Sequence, residues 1–298
     1  MLVAACSGRG GGHAVLPTQT PAATMAWTPT RTAARDDLPV APPFVAPGER
    51  MSYRVNAHGI DVASYVLVVG DIVDVGGHRA VVVQSGVESS SLVSLFKKVA
   101  DTFTSWIDVS TGRPVLFRAE ELASKQEEIA ETVEASFHQA ANGRVPIKIR
   151  RADLGDVDEL QAVPAAALHD LNSFLVVLRG WDAPPGTQAT ADVLRSRFVW
   201  RTQLTVGGYE TVSSALGPLP CVRFDGLSRR LTRAGELDPK SDTRYYSIWI
   251  SDDADRVPVR MVAHADYGDI IMELADYQPG SQARIGNVQS GAQLGSKP

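Results

Sequence analysis

From Glu49 onward the chain alternates apolar and polar residues with a period of two, the pattern of strands with one face buried. The alternation is clearest over residues 244–274. There Tyr245, Ser247 and Trp249 alternate with Tyr246, Ile248 and Ile250, and β-branched and aromatic types favour strands. Ser251, Asp252, Asp253 and Asp255 break the run with side chains that bond their own backbone in turns. Val257, Val259, Met261 and Ala263 carry a returning strand, Tyr267-Gly268-Asp269 turns the chain again, and residues 270–274 close a meander.

The same period predicts strands over 49–55, with Met51, Tyr53 and Val55 on one face, and over 60–69 after a His58-Gly59 turn. Further strands are expected at 78–85 after a turn in 70–77, then at 101–107 and 115–119. In the second half they fall at 198–206, 209–215 and 221–227, with Gly207-Gly208 as a hairpin turn. Residues 120–142 carry helix-forming Glu, Ala and Lys, yet Glu131, Val133, Ala135 and Phe137 alternate with polar neighbours. We read strands there, closed by an Asn142-Gly143 turn onto a partner at 144–151.

Two stretches have helical spacing instead. Residues 91–100 suggest a short helix, and 163–179 a longer one, opened by Pro164 and striped by Leu168, Leu171, Leu175 and Leu178. The expected fold is mainly β: a strongly curved antiparallel sheet or open barrel, with one principal helix packed on it. It occupies residues 44–277 as one domain, with a weak echo between the hairpins near Tyr53 and Tyr209. Residues 1–43, rich in Gly, Pro, Thr and Ala, read as a disordered tether, and residues 278–298 as a disordered tail.

Composition adds constraints. The 298 residues carry a net charge of −5 and no basic stripe, which argues against a nucleic-acid partner. No apolar run approaches the roughly 20 residues of a membrane-spanning helix. Leu2-Val3-Ala4-Ala5-Cys6 is similar to a bacterial lipobox, in which small residues precede a cysteine that takes lipid. Met1 lies only five positions before Cys6. A signal peptide needs a longer apolar run there, so its remainder is expected upstream of this start. Cys221, opening a strand, reads as a small buried hydrophobe.

Catalytic and metal motifs are missing from the sequence. None of the six histidines falls in an HxxxH or HExxH spacing, and no Gly-x-Ser-x-Gly elbow or phosphate loop follows a strand, so no metal or cofactor is expected. Asp252, with Asp253 and Asp255, could be an acid/base pair, a calcium site or an Asx-type turn; a calcium loop would need a sharp glycine turn that residues 251–256 lack. Adjacent residues in a strand turn point apart, which favours the turn. Tyr53, Trp106, Trp200, Tyr246 and Trp249 could line a concave face for a lipid or sugar ring, or pack the core. Arg118 and Arg179 could pair with Asp108 or Asp170, or offer a fork to an anion.

Several ordered features resemble one family. They are Pro47-Gly48-Glu49-Arg50-Met51-Ser52-Tyr53, Ser105-Trp106-Ile107-Asp108 with Pro114, and Asp170-Leu171-Asn172-Ser173-Phe174 with Leu178-Arg179. Gly208-Tyr209-Glu210-Thr211-Val212 and Trp249-Ile250-Ser251-Asp252-Asp253 with Pro258-Val259 complete the set. Together they are similar to the DUF3108 family of bacterial envelope proteins, with a departure at Ala63-Ser64, where a glycine is expected. The resemblance implies an exported β-rich domain and supplies no reaction and no catalytic residues.

The expectation is a lipid-anchored protein on the periplasmic face of the bacterial envelope, at the outer membrane through Cys6, that binds or carries a lipid or glycan. Tyr53, Trp106, Arg118, Asp170, Arg179, Trp249 and Asp252 are its candidate ligand contacts. The alternatives are a polysaccharide or peptidoglycan hydrolase using Asp252 or Asp170, and a scaffold for other envelope proteins.

Overall fold

The computed structural model describes residues 37–94, 99–122, 129–152, 154–163, 168–265 and 268–290. Cys6, the start of the tether, Tyr267 and the end of the tail lie outside them.

Alternation becomes strand almost throughout. The first half consists of β1 (Arg50–Ala57), β2 (Ile60–Val75), β3 (His78–Ser89), the one-turn helix α1 (Ser91–Ser94), β4 (Ala100–Asp108), β5 (Pro114–Leu122), β6 (Ile129–Ser136), β7 (Arg144–Arg151) and β8 (Gly155–Ala162). Then come β9 (Leu168–Asp170), the helix α2 (Leu171–Gly180), β10 (Trp181–Asp182), β11 (Gln188–Arg195), β12 (Phe198–Ser214), β13 (Gly217–Arg230), β14 (Arg244–Ser251), β15 (Pro258–Ala265), β16 (Gly268–Gln278) and β17 (Gln289–Ser290). Fifteen strands make one sheet in the order β8-β7-β6-β5-β4-β3-β2-β1-β16-β15-β14-β13-β12-β11-β9, antiparallel except for the β11–β9 pair.

The sheet does not close on itself; it rolls. Phe103, Phe117, Val133, Ile147 and Ile149 from β4–β7 share one apolar cluster with Leu168, Leu194, Val199 and Leu231 from the opposite end of the strand order. Burying apolar surface from both ends of the sheet is what curls it, since a twisted sheet this wide cannot otherwise cover its inner face. The last turns of edge strand β8 are capped by the β13–β14 connection. Ala162 N–H donates to Arg233 O at 2.9 Å, and Gln161 Nε2 donates to Thr232 O at 2.9 Å.

The principal helix lies inside this roll, and every residue from Asn172 to Gly180 is buried. It is shorter than expected. Residues 163–179 do not form one helix: Leu168–Asp170 pair with β11 as a parallel strand, and helix begins only at Leu171. Asp170 decides the boundary. Its carboxylate accepts the Ser173 N–H at 2.8 Å and the Ser173 hydroxyl accepts the Asp170 N–H at 2.9 Å, a capping box that satisfies otherwise orphaned donors.

Other differences have local causes. Gly207-Gly208 is not a hairpin turn but a bulge inside the 17-residue β12, and the chain reverses at Ala215-Leu216 instead. Gly70 likewise sits at a bulge in β2, while Gly76-Gly77 makes the turn. Glycine marks bulges and turns alike, so the sequence does not separate them. At Asn142-Gly143 the turn is as read, with φ of 52° and 68°, and Ala141 bridges to Arg144. β8 carried no expectation, because an edge strand written Gly-Asp-Val-Asp-Glu-Leu-Gln-Ala lacks an apolar face. At Ala63-Ser64 the chain runs straight through β2, with Ala63 buried between Val55 and Ser89.

Both flanks of the expected domain also pack. Leu38, Ala41 and Phe44 are buried, and Leu38 N–H donates to Thr190 O. Beyond Gln278, Ser281 and Ile285 donate to the carbonyls of Pro47 and Val45, and Gln289–Ser290 pairs with Trp181–Asp182. The tail therefore does not begin at residue 278; it straps the N-terminal segment against the end of α2 first.

Candidate functional site

Two buried polar networks bracket α2. At its N-terminus Asn172 reaches into the sheet: its Nδ2 donates to Val83 O and Phe103 O, each at 3.2 Å, and its Oδ1 accepts from Ser85 Oγ at 2.7 Å. Ser105 Oγ donates to Asp170 Oδ1 at 2.9 Å, while Asp170 Oδ2 is buried with no hydrogen-bond partner among the described residues. Burial therefore wins over these bonds and pushes the Asp170 carboxyl up to about 6. Burial, aided by the Arg113 charge, also holds the His169 imidazole down to about 4.

Ser173 Oγ lies 3.5 Å from His169 Nδ1, so serine, histidine and aspartate stand side by side. They do not make a nucleophile. The Ser173 hydroxyl is spent on the Asp170 backbone, accepting its N–H and donating to its carbonyl, and all three residues are buried. This is helix capping.

The C-terminal end of α2 is a clamp. Arg179 donates to Glu49 through Nη1 at 2.8 Å and Nη2 at 2.7 Å, both residues almost fully buried. Nε and Nη2 also donate to the carbonyls of Arg256 and Asp255, and Tyr277 donates to Glu49 at 3.0 Å. Burial alone would lower the Arg179 pKa, but the twofold bond to Glu49 offsets it and the pKa lies above the ordinary value. Arg256 returns the bond, donating to Arg179 O at 2.7 Å and Trp181 O at 2.8 Å. The guanidinium of Arg179 stacks on Phe44 at 5.5 Å, with Arg284 on the same ring at 4.5 Å.

The Asp-rich turn serves this clamp. Asp253 Oδ1 accepts from Ser251 Oγ and from the N–H groups of Asp255 and Arg256, an Asx-type turn that presents Arg256 to the helix end. Asp252 stays outside, about half exposed and 3.9 Å from Arg256. Asp170 and Asp252 thus lie at opposite ends of a ten-residue helix, roughly 15 Å of rise. They do not flank a common cleft as a glycosidase pair would.

The remaining candidates separate by strand face. Tyr53 points inward, buried, with its hydroxyl 3.4 Å from Met51 Sδ, and burial raises its pKa. Trp106, Arg118 and Trp249 alternate with the buried residues of β4, β5 and β14 and so face outward. Trp249 Nε1 donates to Glu210 at 2.6 Å, and Arg118 pairs with Glu120 at 2.6 Å. Arg179 meets Glu49, not Asp108 or Asp170. The seven candidates therefore do not converge. Cys221 is fully buried, as read, and burial pushes its thiol up to about 11.

At the open end of the roll the interior keeps solvent access. Trp200, Tyr246, Ala263 and Ile270 are only partly buried, yet they share a strand face with the core residues Leu204, Ile248, Met261 and Met272, two or four positions away. Tyr246 lies flat on Gly226, where a side chain would collide with its ring, and its hydroxyl shares a 2.6 Å hydrogen bond with Thr202. Among the described residues no group of three or more His, Cys, Asp or Glu side chains could hold a metal. Glu49 and Arg256 carry no site role in the sequence reading, whereas Trp200 is one of the five aromatics it places on a concave face or in the core. Glu49 was visible as a lone acid straight after a Pro-Gly turn, opening an apolar strand.

A rolled antiparallel sheet around a buried, clamped helix defines a barrel-like β protein. The chain belongs to the DUF3108 family, described as proteins of unknown function, whose model matches residues 50–275. No curated protein matches. Among solved structures, a β-barrel-like DUF1849 protein from Brucella abortus is 11% identical with a TM-score of 0.51, covering 80% of this chain and 99% of its own. A Bacteroides fragilis protein with a YmcC-like fold, described as exported, is 10% identical with a TM-score of 0.38 over the same shares. A Parabacteroides distasonis protein described as a lipoprotein is 10% identical with a TM-score of 0.35, again over 80% and 99%.

Proposed function

We propose that this is a bacterial envelope protein, lipid-anchored through Cys6, that holds a lipid or glycan within the open end of its rolled sheet. One observation carries the reading. Trp200, Tyr246 and Ile270 face the interior but remain partly exposed, whereas interior residues beside the clamp such as Met51, Val45 and Leu274 are wholly buried. Concave, partly apolar surfaces with a few polar groups are where small ligands bind. No helix among the described residues is long and apolar enough to cross a membrane.

Native mass spectrometry of the full chain, purified gently from a bacterial envelope, tests this. An added mass released on denaturation as lipid or glycan supports the reading and names the ligand class. A clean ligand-free mass at every preparation contradicts it. A second reading, a scaffold for envelope proteins, is favoured by the free edge of β8, where Leu154, Val157 and Leu160 are exposed. Co-purification of a stoichiometric protein partner, lost when Val157 becomes lysine, would support that one instead.

A further inference from the structure

Two cations near the open end, Arg195 and Arg229, pair with no carboxylate among the described residues, and of the two it is Arg195 that lies over an aromatic ring. Around the β11–β12 turn, Arg197, Arg201 and Arg230 each reach a carboxylate: Glu131 at 2.9 Å, Asp192 at 2.8 Å and Asp238 at 2.6 Å. Arg195 reaches none, and its guanidinium donates no hydrogen bond among the described residues. Its guanidinium lies over the Trp200 ring at 5.5 Å. It is only partly buried, and it lies on the face of β11 that carries Ala191 and Val193, opposite Leu194; this strand is buried on both faces.

Its surroundings make an unpaired charge costly. Burial lowers the Arg195 pKa; the Tyr246 hydroxyl opposes that, and the neighbouring Arg244 charge adds to it. A guanidinium stays charged regardless, with five N–H donors in a planar fork suited to phosphate or carboxylate. Contact with the Trp200 ring uses none of the five N–H donors. From Tyr246 the same inner wall continues across the ladder through Ala263 to Ile270, an apolar strip beginning where the cation ends.

The geometry points to Arg195 as the headgroup receptor for an anionic amphiphile, its phosphate or carboxylate on the guanidinium and its apolar part along the Trp200–Tyr246–Ile270 wall. The assignment rests on the ligand-carrying function proposed above and narrows its chemistry. A charge left without a protein partner at a partly dry site is a known mark of function maintained against stability.

The test is calorimetric titration of the full chain and of R195Q and R195K with dodecyl phosphate, uncharged dodecyl glucoside and inorganic phosphate. The expected result is binding of dodecyl phosphate, weakened at least about tenfold in R195Q and less in R195K, with dodecyl glucoside indifferent to the substitution. R195Q should melt no lower than wild type. Equal binding of both amphiphiles by wild type and R195Q overturns the Arg195 assignment and leaves the ligand-carrying function standing. Absence of binding by either amphiphile overturns both. Inorganic phosphate bound as tightly as dodecyl phosphate overturns the amphiphile, leaving a free-anion site. A melting temperature several degrees lower in R195Q and R195K alike makes Arg195 structural and overturns its assignment as well.

Discussion

Two arginines stack on aromatic rings at the same distance, 5.5 Å, at the two ends of the rolled sheet. Arg179, on Phe44, is buried and bonded twice to Glu49 and to two backbone carbonyls. Arg195, on Trp200, has no carboxylate within reach among the described residues and keeps some access to solvent. The ring contact is the same; the partners differ. A cation whose three nitrogens are all bonded within the fold holds the fold together, and a cation in a similar ring contact without such partners is available to something else. The clamp end joins the N-terminal segment, α2, the β14–β15 turn and the C-terminal strap, so the opposite end is where the interior can exchange with solvent.

The comparison breaks most visibly at the clamp. Glu49→Gln leaves Arg179 buried without its counter-charge and should cost about 3–5 kcal/mol in chemical denaturation. Replacing both partners, Glu49→Leu with Arg179→Met, should recover part of that loss, because the stranded charge goes with its partner. Equal losses in the single and double variants would mean that the clamp acts through shape alone.

At the other end of α2 the effect should be smaller. Asn172→Ala removes the donors to Val83 O and Phe103 O and should cost about 2–3 kcal/mol, measured in the same way. Asp170 supplies a pH signature. Its carboxyl is raised to about 6 from an ordinary value near 4, so the fold takes up a proton between those values. Its contribution is fully favourable below about pH 4 and is lost as the pH rises through about 6. Relative to Asp170→Asn, which still caps the helix but does not titrate, wild type should lose on the order of 2–3 kcal/mol across that window. A pH-independent difference between the two would show that Asp170 is not desolvated as described.

The smallest effects belong outside the networks. Trp249→Phe gives up one exposed hydrogen bond to Glu210 and should change stability by less than about 1 kcal/mol. A larger loss would place Trp249 in the core despite its outward face.

Much of this architecture was legible from the alternation of residues. Met51, Tyr53 and Val55 fall on the buried face as read, and β14, β15 and β16 form the three strands of the expected meander. The curvature of the sheet and the single principal helix follow from the same pattern. What was not legible depends on distant partners. The glycines of β2 and β12 have the same local chemistry whether they bulge or turn. The boundary of α2 turns on a capping box competing with a strand pairing to β11. The tail after Gln278 has too few apolar residues to announce that it docks, since its contacts are backbone bonds to Val45 and Pro47.

The site was less legible than the fold. Asp170 and Arg179 stood out as charged residues beside apolar runs, and both are structural, each held by partners far away in sequence. Trp106 and Trp249 look like Trp200 in the sequence, but they fall on the outer face of the roll. Arg195 is one of several arginines in a charged region, and its contact with the Trp200 ring, with no carboxylate partner among the described residues, is what sets it apart.

The most direct measurement is the shift in melting temperature that dodecyl phosphate produces in wild type and in R195Q. Ligand that binds only the folded chain raises the melting temperature in proportion to its affinity. The account predicts a concentration-dependent rise in wild type and little or none in R195Q, with the ligand-free R195Q melting at or above wild type. The same rise in both proteins, or a ligand-free R195Q that melts well below wild type, would contradict it.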